Sequence, residues 1–184
     1  MNFCSACGAP LQLSTPPGDD RPRHVCPACN TVHYQNPRII TGTLPVYRDR
    51  VLLCKRAIEP RRGYWTLPAG FLEMGESLAE GAIRETWEEA RAEVDIEGLY
   101  AVYDIVSIGQ VYVFFRAALR HPQWKPGAES AEVRLFAAAE VPWKRLAFPV
   151  VHVVLSQYWT DRERGEFPLH NQRIEESHWS LVQP

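Results

Sequence analysis

The chain lacks the marks of an exported or membrane-embedded protein. No apolar run approaches the ~20 residues that span a bilayer, and no basic N-terminal stretch leads into a hydrophobic one. The expected location is therefore the cytoplasm. An excess of charge of one sign is also missing. Twenty Lys and Arg against 22 Asp and Glu leave a net charge of −2, so no polycationic surface for nucleic acid or anionic lipid is expected. Internal repeats and low-complexity tracts are absent, which excludes solenoids and long disordered linkers. What remains is 184 residues of ordinary globular composition, 46% hydrophobic and 23% charged. That is enough for one well-packed domain with a small appendage.

Cysteine is scarce, and its placement is informative. Four of the five fall into two knuckles, Cys4-Ser-Ala-Cys7 and Cys26-Pro-Ala-Cys29. The spacing C-x2-C-x18-C-x2-C fits a four-thiolate zinc site. A disulfide framework is the weaker reading, because no secretory signal accompanies the cysteines. Four thiolates close a tetrahedron, so this zinc would be structural. His24 and His33 lie close by in sequence and read as surface residues rather than ligands. Cys54, within Val51-Leu-Leu-Cys-Lys-Arg56, reads as a buried strand residue.

The densest chemistry lies between Gly70 and Glu89, GFLEMGESLAEGAIRETWEE. Ser77 with Glu80 three residues on is a capping-box signature, so a helix is expected to begin there. On it Glu85, Glu88 and Glu89 stand at i, i+3 and i+4, within a ~100° arc. Ala79, Ile83, Thr86, Trp87 and Ala90 occupy the opposite arc and are expected to face the core. A lone Glu-Glu pair usually belongs to a solvated face. Three like charges on a helix anchored behind them instead suit a hard divalent cation, Mg²⁺ or Mn²⁺.

Gly70, Glu76 and Arg84-Glu85-Thr86-Trp87-Glu88-Glu89 together resemble the Nudix box. One position departs: the family usually has glycine two residues after the last glutamate, and here Arg91 stands there. The resemblance implies an α/β fold, a Nudix α/β/α sandwich with a mixed sheet, here preceded by a small zinc ribbon. The expected organisation is a ribbon over residues 1–35, a Nudix domain over 36–165 and a tail over 166–184. The resemblance also implies that Glu85 and Glu89 hold the metal and that Glu88 is a ligand or polarises water. The backbone carbonyl of Ala69 or Gly70 would add a ligand, and Arg84 would position the glutamates. Outside the box, Glu129 is the favoured base or additional ligand, with Glu132 its competitor. Arg56 resembles an arginine that touches substrate phosphate.

The rest of the chain reads as strands and one further helix. Residues 39–47 and 51–56 form an antiparallel hairpin, 65–67 a short strand, and 94–108 and 110–119 two strands broken at Gly109. Residues 132–137 form a last strand, and 148–163 an amphipathic helix carrying Val150, Val151, Val154, Leu155 and Tyr158. The final 20 residues, Trp179 among them, show no period and are left to cross the surface or pack on a second subunit. Aromatic rings near the box, Tyr64, Trp65, Tyr103 and Phe148, offer a platform for a flat base.

The implied substrate is a small nucleotide diphosphate. Zinc-ribbon Nudix enzymes include NADH pyrophosphatases, whose SQPWPFPxS-like signature is missing from the corresponding stretch at 101–112. The chain is similar to plant chloroplast FAD and ADP-ribose pyrophosphohydrolases through Tyr34-Gln-Asn-Pro37, Val51–Arg56, Trp65-Thr-Leu-Pro-Ala-Gly70, Ile108-Gly-Gln110 and Pro126-Gly-Ala-Glu-Ser130. FAD or ADP-ribose is therefore the expected substrate. NADH or NAD-capped RNA is one alternative; a non-catalytic sensor with a nucleic-acid-binding ribbon is another. The ribbon's expected job is to brace a fold or a homodimer.

Overall fold

The computed structural model describes residues 1–175 together with His178 and Ser180. The chain divides into two compact units, Met1–Pro37 and a larger one that begins at Arg38. The first is a three-stranded antiparallel sheet of β1 (Gln12–Ser14), β2 (Arg23–Val25) and β3 (Val32–His33). Its strands are short and lack a buried apolar face, so little of its stability comes from hydrophobic burial.

The larger unit is built on a mixed sheet. Strand β4 (Arg38–Tyr47) is central and buried from Ile40 to Pro45, which explains why its sequence is a continuous run rather than an alternating one. It turns through Arg48 and Asp49 into β5 (Arg50–Arg56), with Tyr47 opposite Arg50. Two short strands follow, β6 (Trp65–Thr66) on β5 and β7 (Ala69–Phe71) on the first half of β4. Beyond the intervening helix, β8 (Val94–Ile105) and β9 (Gln110–Leu119) form a long hairpin, and β9 runs parallel to β4 along its length. Strand β10 (Ser130–Phe136) starts two residues earlier than its sequence pattern suggests and pairs with β5. Strand β11 (His170–Arg173) lies parallel to β8, so the segment without a legible period extends the sheet. Trp179 lies outside the described residues.

A helix packs on each face of this sheet. Alternate residues of β5 divide between two clusters: Val51 and Leu53 join the one built around helix α2 (Pro149–Arg164), while Leu52 and Cys54 join the one containing Ala90 of helix α1 (Leu78–Ala90). The five α2 residues chosen by periodicity are all buried. Helix α1 is capped as its sequence implies. Ser77 Oγ accepts from the Glu80 N–H at 3.3 Å and Glu80 Oε2 accepts from the Ser77 N–H at 2.8 Å.

The buried side of α1 is only partly the one expected: Thr86 and Ala90 are buried, but Ile83 and Trp87 are not. Ile83 and Trp87 are 40% and 46% exposed, whereas Gly81, Ala82, Thr86, Glu89 and Ala90 are buried. Small residues let the helix settle closely on β4, and Thr43 and Thr86 join their hydroxyls at 2.6 Å between them. The last glutamate thus points inward. No helix among the described residues is long and apolar enough to cross a membrane.

Candidate active site and structural metal centre

In the first unit the four cysteine sulfurs converge. Cys4 and Cys29 Sγ are 3.7 Å apart, Cys7 and Cys26 Sγ 3.4 Å, and all four lie within 4.8 Å of one another. Tetrahedral Zn–S bonds of about 2.3 Å require sulfurs roughly 3.8 Å apart, so the cluster fits zinc. Each knuckle closes alike: the N–H of Gly8 bonds to the Cys4 carbonyl at 2.9 Å and that of Asn30 to the Cys26 carbonyl at 2.8 Å. Hydrogen bonds from the Thr31 hydroxyl and backbone pull the Cys29 thiol down to about 6, which favours the thiolate a metal needs. His33 is an outer partner rather than a ligand, with Nε2 3.3 Å from Cys4 Sγ. Cys26→Ser is expected to lower bound zinc from about one ion per chain to near zero, read by metal analysis after gel filtration.

In the second unit Glu85, Glu88, Glu89 and Arg84 from α1, Ala69 and Gly70 from β7, Arg56 from β5 and Glu129 line one cleft of about 700 Å³. Arg84 organises it. Its guanidinium holds Glu76 by two bonds (2.7 and 2.9 Å), Glu85 at 2.7 Å, Glu88 at 3.3 Å and the Phe71 carbonyl at 3.1 Å. This bridge pulls the Glu76 carboxyl down to about 2 and ties the loop before α1 to the helix. Glu89 is opposite in character. Burial, reinforced by the charge of Glu85 and opposed by Arg56, lifts it to about 8. Burial also raises Glu85.

Close approaches explain two glycines. A Cβ on Gly70 would lie 2.3 Å from the Glu85 carboxylate, so only glycine lets β7 back onto that side chain. Gly70→Ala is expected to displace Glu85 and cut turnover about tenfold, with little loss of stability because the carboxylate can rotate away. A Cβ on Gly127 would lie 1.7 Å from the Glu88 carbonyl oxygen. Here the loop before β10 docks on the end of α1: the N–H groups of Lys125 and Gly127 bond to the carbonyls of Ala90 and Glu89, each at 2.9 Å. This docking places Glu129. The helix ends at Arg91, which adopts φ 47° and donates its N–H to the Trp87 carbonyl at 2.8 Å, so arginine itself serves where the glycine is missing.

The two candidate acids after Pro126 are separated by the fold. Glu129 lines the cleft, whereas Glu132 is on β10 and pairs with Lys55 at 3.3 Å.

A second cavity, about 350 Å³, adjoins the cleft and shares Arg56, Pro60, Ala69, Gly70 and Phe71 with it. Its walls include Ile105, Tyr112, Phe114 and Phe148, with the amide of Gln110 among them. Arg56 lies 5.2 Å over the Phe148 ring and donates from Nε to the Pro60 carbonyl at 2.7 Å. Two of the expected substrate contacts are elsewhere. Trp65 is buried edge-on against Phe136, ring centroids 4.8 Å apart, and Tyr103 is fully buried with its hydroxyl on Gln157 of α2. Thr66, the neighbour of Trp65, faces the cavity instead. Tyr112 and Phe114 line the cavity in their place. They alternate with Val111 and Val113 along β9, a weak period-2 signal, and only the pairing of β9 with β4 brings them beside the box.

A family model described as the NUDIX domain matches residues 36–178, and one described as Nudix N-terminal, a zinc ribbon, matches 2–35. The chain belongs to the Nudix hydrolase family. A crystal structure of a Nudix hydrolase from Nitrosomonas europaea is similar at 52% identity and a TM-score of 0.90, covering 95% of this chain and 100% of that one. An NAD-capped RNA hydrolase, NudC, from Chromobacterium violaceum is 42% identical over 50% of this chain and 33% of its own length. The human mitochondrial NAD(P)H pyrophosphatase NUDT13 is 29% identical over 90% of this chain and 45% of its own. This Nudix chain thus spans about a third to a half of the curated relatives it first matches. The specific resemblance to plant FAD and ADP-ribose enzymes finds no support among these relatives, which are named for NAD-linked substrates.

Proposed function

We propose that this chain is a divalent-cation-dependent pyrophosphohydrolase of a dinucleotide-type diphosphate, FAD giving FMN and AMP or ADP-ribose giving AMP and ribose phosphate. The observation that carries it is the junction of the two cavities: an apolar, aromatic chamber opens beside a carboxylate cleft and shares one wall with it. A flat ring suits the first and a diphosphate the second.

The donor set fits Mg²⁺ or Mn²⁺. Glu85, Glu88, Glu89, Glu129 and the Ala69 carbonyl are all hard oxygens, and a carboxylate as buried as Glu89 is held ionised most readily by a cation. When bound, such an ion neutralises the diphosphate and lowers the pKa of water. The chain's own groups do the rest. Arg84 fixes Glu85 and Glu88 against Glu76, so the cluster is set before substrate arrives. Arg56, at the shared wall, binds a phosphate oxygen. Glu129 accepts the proton of the attacking water.

The activities for which NudC and NUDT13 are named favour a second reading, in which NADH or an NAD cap is the substrate. The missing signature at 101–112 argues against it. Equal concentrations of FAD, ADP-ribose, NADH and a nucleoside triphosphate, incubated with the protein and Mg²⁺, separate these readings by product chromatography. FMN with AMP, or ribose phosphate with AMP, is the expected outcome. Preference for NADH would install the second reading, and no turnover of any would leave a ligand sensor.

A further inference from the structure

A third cavity lies at the other end of the same layers. Ile40 of β4, Phe114 of β9 and Val151 of α2 line the catalytic chamber, while Val46, Arg116 and Tyr158 on those same elements line this one, of about 270 Å³. Six residues of strand separate Ile40 from Val46, about 20 Å at 3.3 Å per residue. The two chambers are therefore distinct.

Arg48, Arg116 and Arg162 line the third cavity, and among the described lining residues Glu97 is the one carboxylate. Glu97 is spent on Arg116, 2.7 Å from its Nε, and the same guanidinium stacks 3.8 Å over Phe167. Among the described residues no carboxylate lies within 4.0 Å of a charged nitrogen of Arg48 or Arg162. Asp49 and Glu163 line another recess together with Arg162, without an ion pair to it. Arg162 meets the Tyr158 hydroxyl and lies 5.6 Å over the Trp159 ring, neither of which neutralises its charge. Planar guanidinium forks match oxyanions in geometry and charge. We propose that this cavity binds a small oxyanion of the phosphate class, seated on Arg48, Arg116 and Arg162. The site is independent of which diphosphate the catalytic cleft cleaves.

Titration calorimetry on the full chain, in low-salt buffer without added divalent cation, tests this with inorganic phosphate and with AMP as probes. Besides any binding of the probes at the catalytic cleft, which Arg56→Ala weakens, one further site per chain is expected. Arg48→Ala and Arg162→Gln should each weaken it at least about tenfold, as the loss of one charge-assisted bond implies. Arg56→Ala, on the catalytic side, should leave it unchanged. Similar affinities for the probes would identify free phosphate as sufficient, and tighter AMP would identify the mononucleotide. Absence of binding by both probes, or full affinity in Arg48→Ala, overturns the proposal. Arg48 is exposed, so that variant keeps the test valid even if Arg162→Gln fails to fold.

Discussion

Glu89→Gln is expected to cut turnover by about 10³-fold and, at the same time, to make the protein more resistant to heat. Both effects come from one carboxylate that is 7% exposed and flanked by Glu85. Losing it removes a hard anionic ligand from the proposed metal site, and removing one catalytic group costs on the order of 10²–10⁴ in rate. The stability gain has a definite sign. The folded state raises this carboxyl from 4.5 to about 8, so it binds the proton more tightly than the unfolded chain does. Its contribution is fully present below pH 4.5 and is lost as pH rises through about 8. Glutamine is neutral throughout and avoids that loss. Melting temperatures, in buffer without divalent cation or chelator, should coincide near pH 4.5 and diverge by several degrees in favour of the variant above pH 8. A variant that is less stable at pH 8.5 would mean that Glu89 is not a desolvated acid.

Gly127→Ala is expected to cost about 1–3 kcal/mol of stability and on the order of 10² in turnover. Unlike Gly70, whose neighbour is the movable end of a side chain, Gly127 faces backbone. The Glu88 carbonyl oxygen would sit 1.7 Å from the new Cβ, and it belongs to a helix that cannot rotate away. The loop must lift, breaking the bond from the Gly127 N–H to the Glu89 carbonyl and moving Glu129, whose own carbonyl accepts from the Ala57 N–H at 2.8 Å. The ring of Trp124, bonded to the Val133 carbonyl at 3.1 Å, pins the loop's other end, so the strain cannot spread. Urea midpoints and kcat under conditions where circular dichroism shows a folded chain give both quantities. A normal kcat would mean that Glu129 has no part in the chemistry.

What the sequence disclosed, and what it hid, follow from how local the interactions are. The zinc knuckles and the box are short spacings closed by bonds between near neighbours, as Ser77 with Glu80 and Arg84 with Glu88 show. These were legible without a fold. The apolar chamber was not, because its walls come from β5, β7, β9 and α2, and the parallel pairing of β4 with β9 joins segments about 70 residues apart. Trp65 and Tyr103 were attractive as rings near the box, yet strand parity and the position of α2 decide otherwise. Trp65 turns away from the cavity that its neighbour Thr66 lines, and Gln157 covers Tyr103. The helix face is legible only in part for a related reason: Thr86 and Ala90 are buried as expected, but apolar size points to Ile83 and Trp87, whereas close packing on β4 needs Gly81 and Ala82 there.

The α1 carboxylates with the β7 backbone are proposed to hold the divalent ion beside the apolar chamber. Titration of zinc-loaded protein with Mn²⁺, following the electron paramagnetic resonance signal of free ion, tests it most directly. Wild-type protein should deplete the signal, and Glu89→Gln should leave it nearly undiminished while the zinc content stays the same. Equal Mn²⁺ binding by both proteins would place the metal elsewhere and contradict the account.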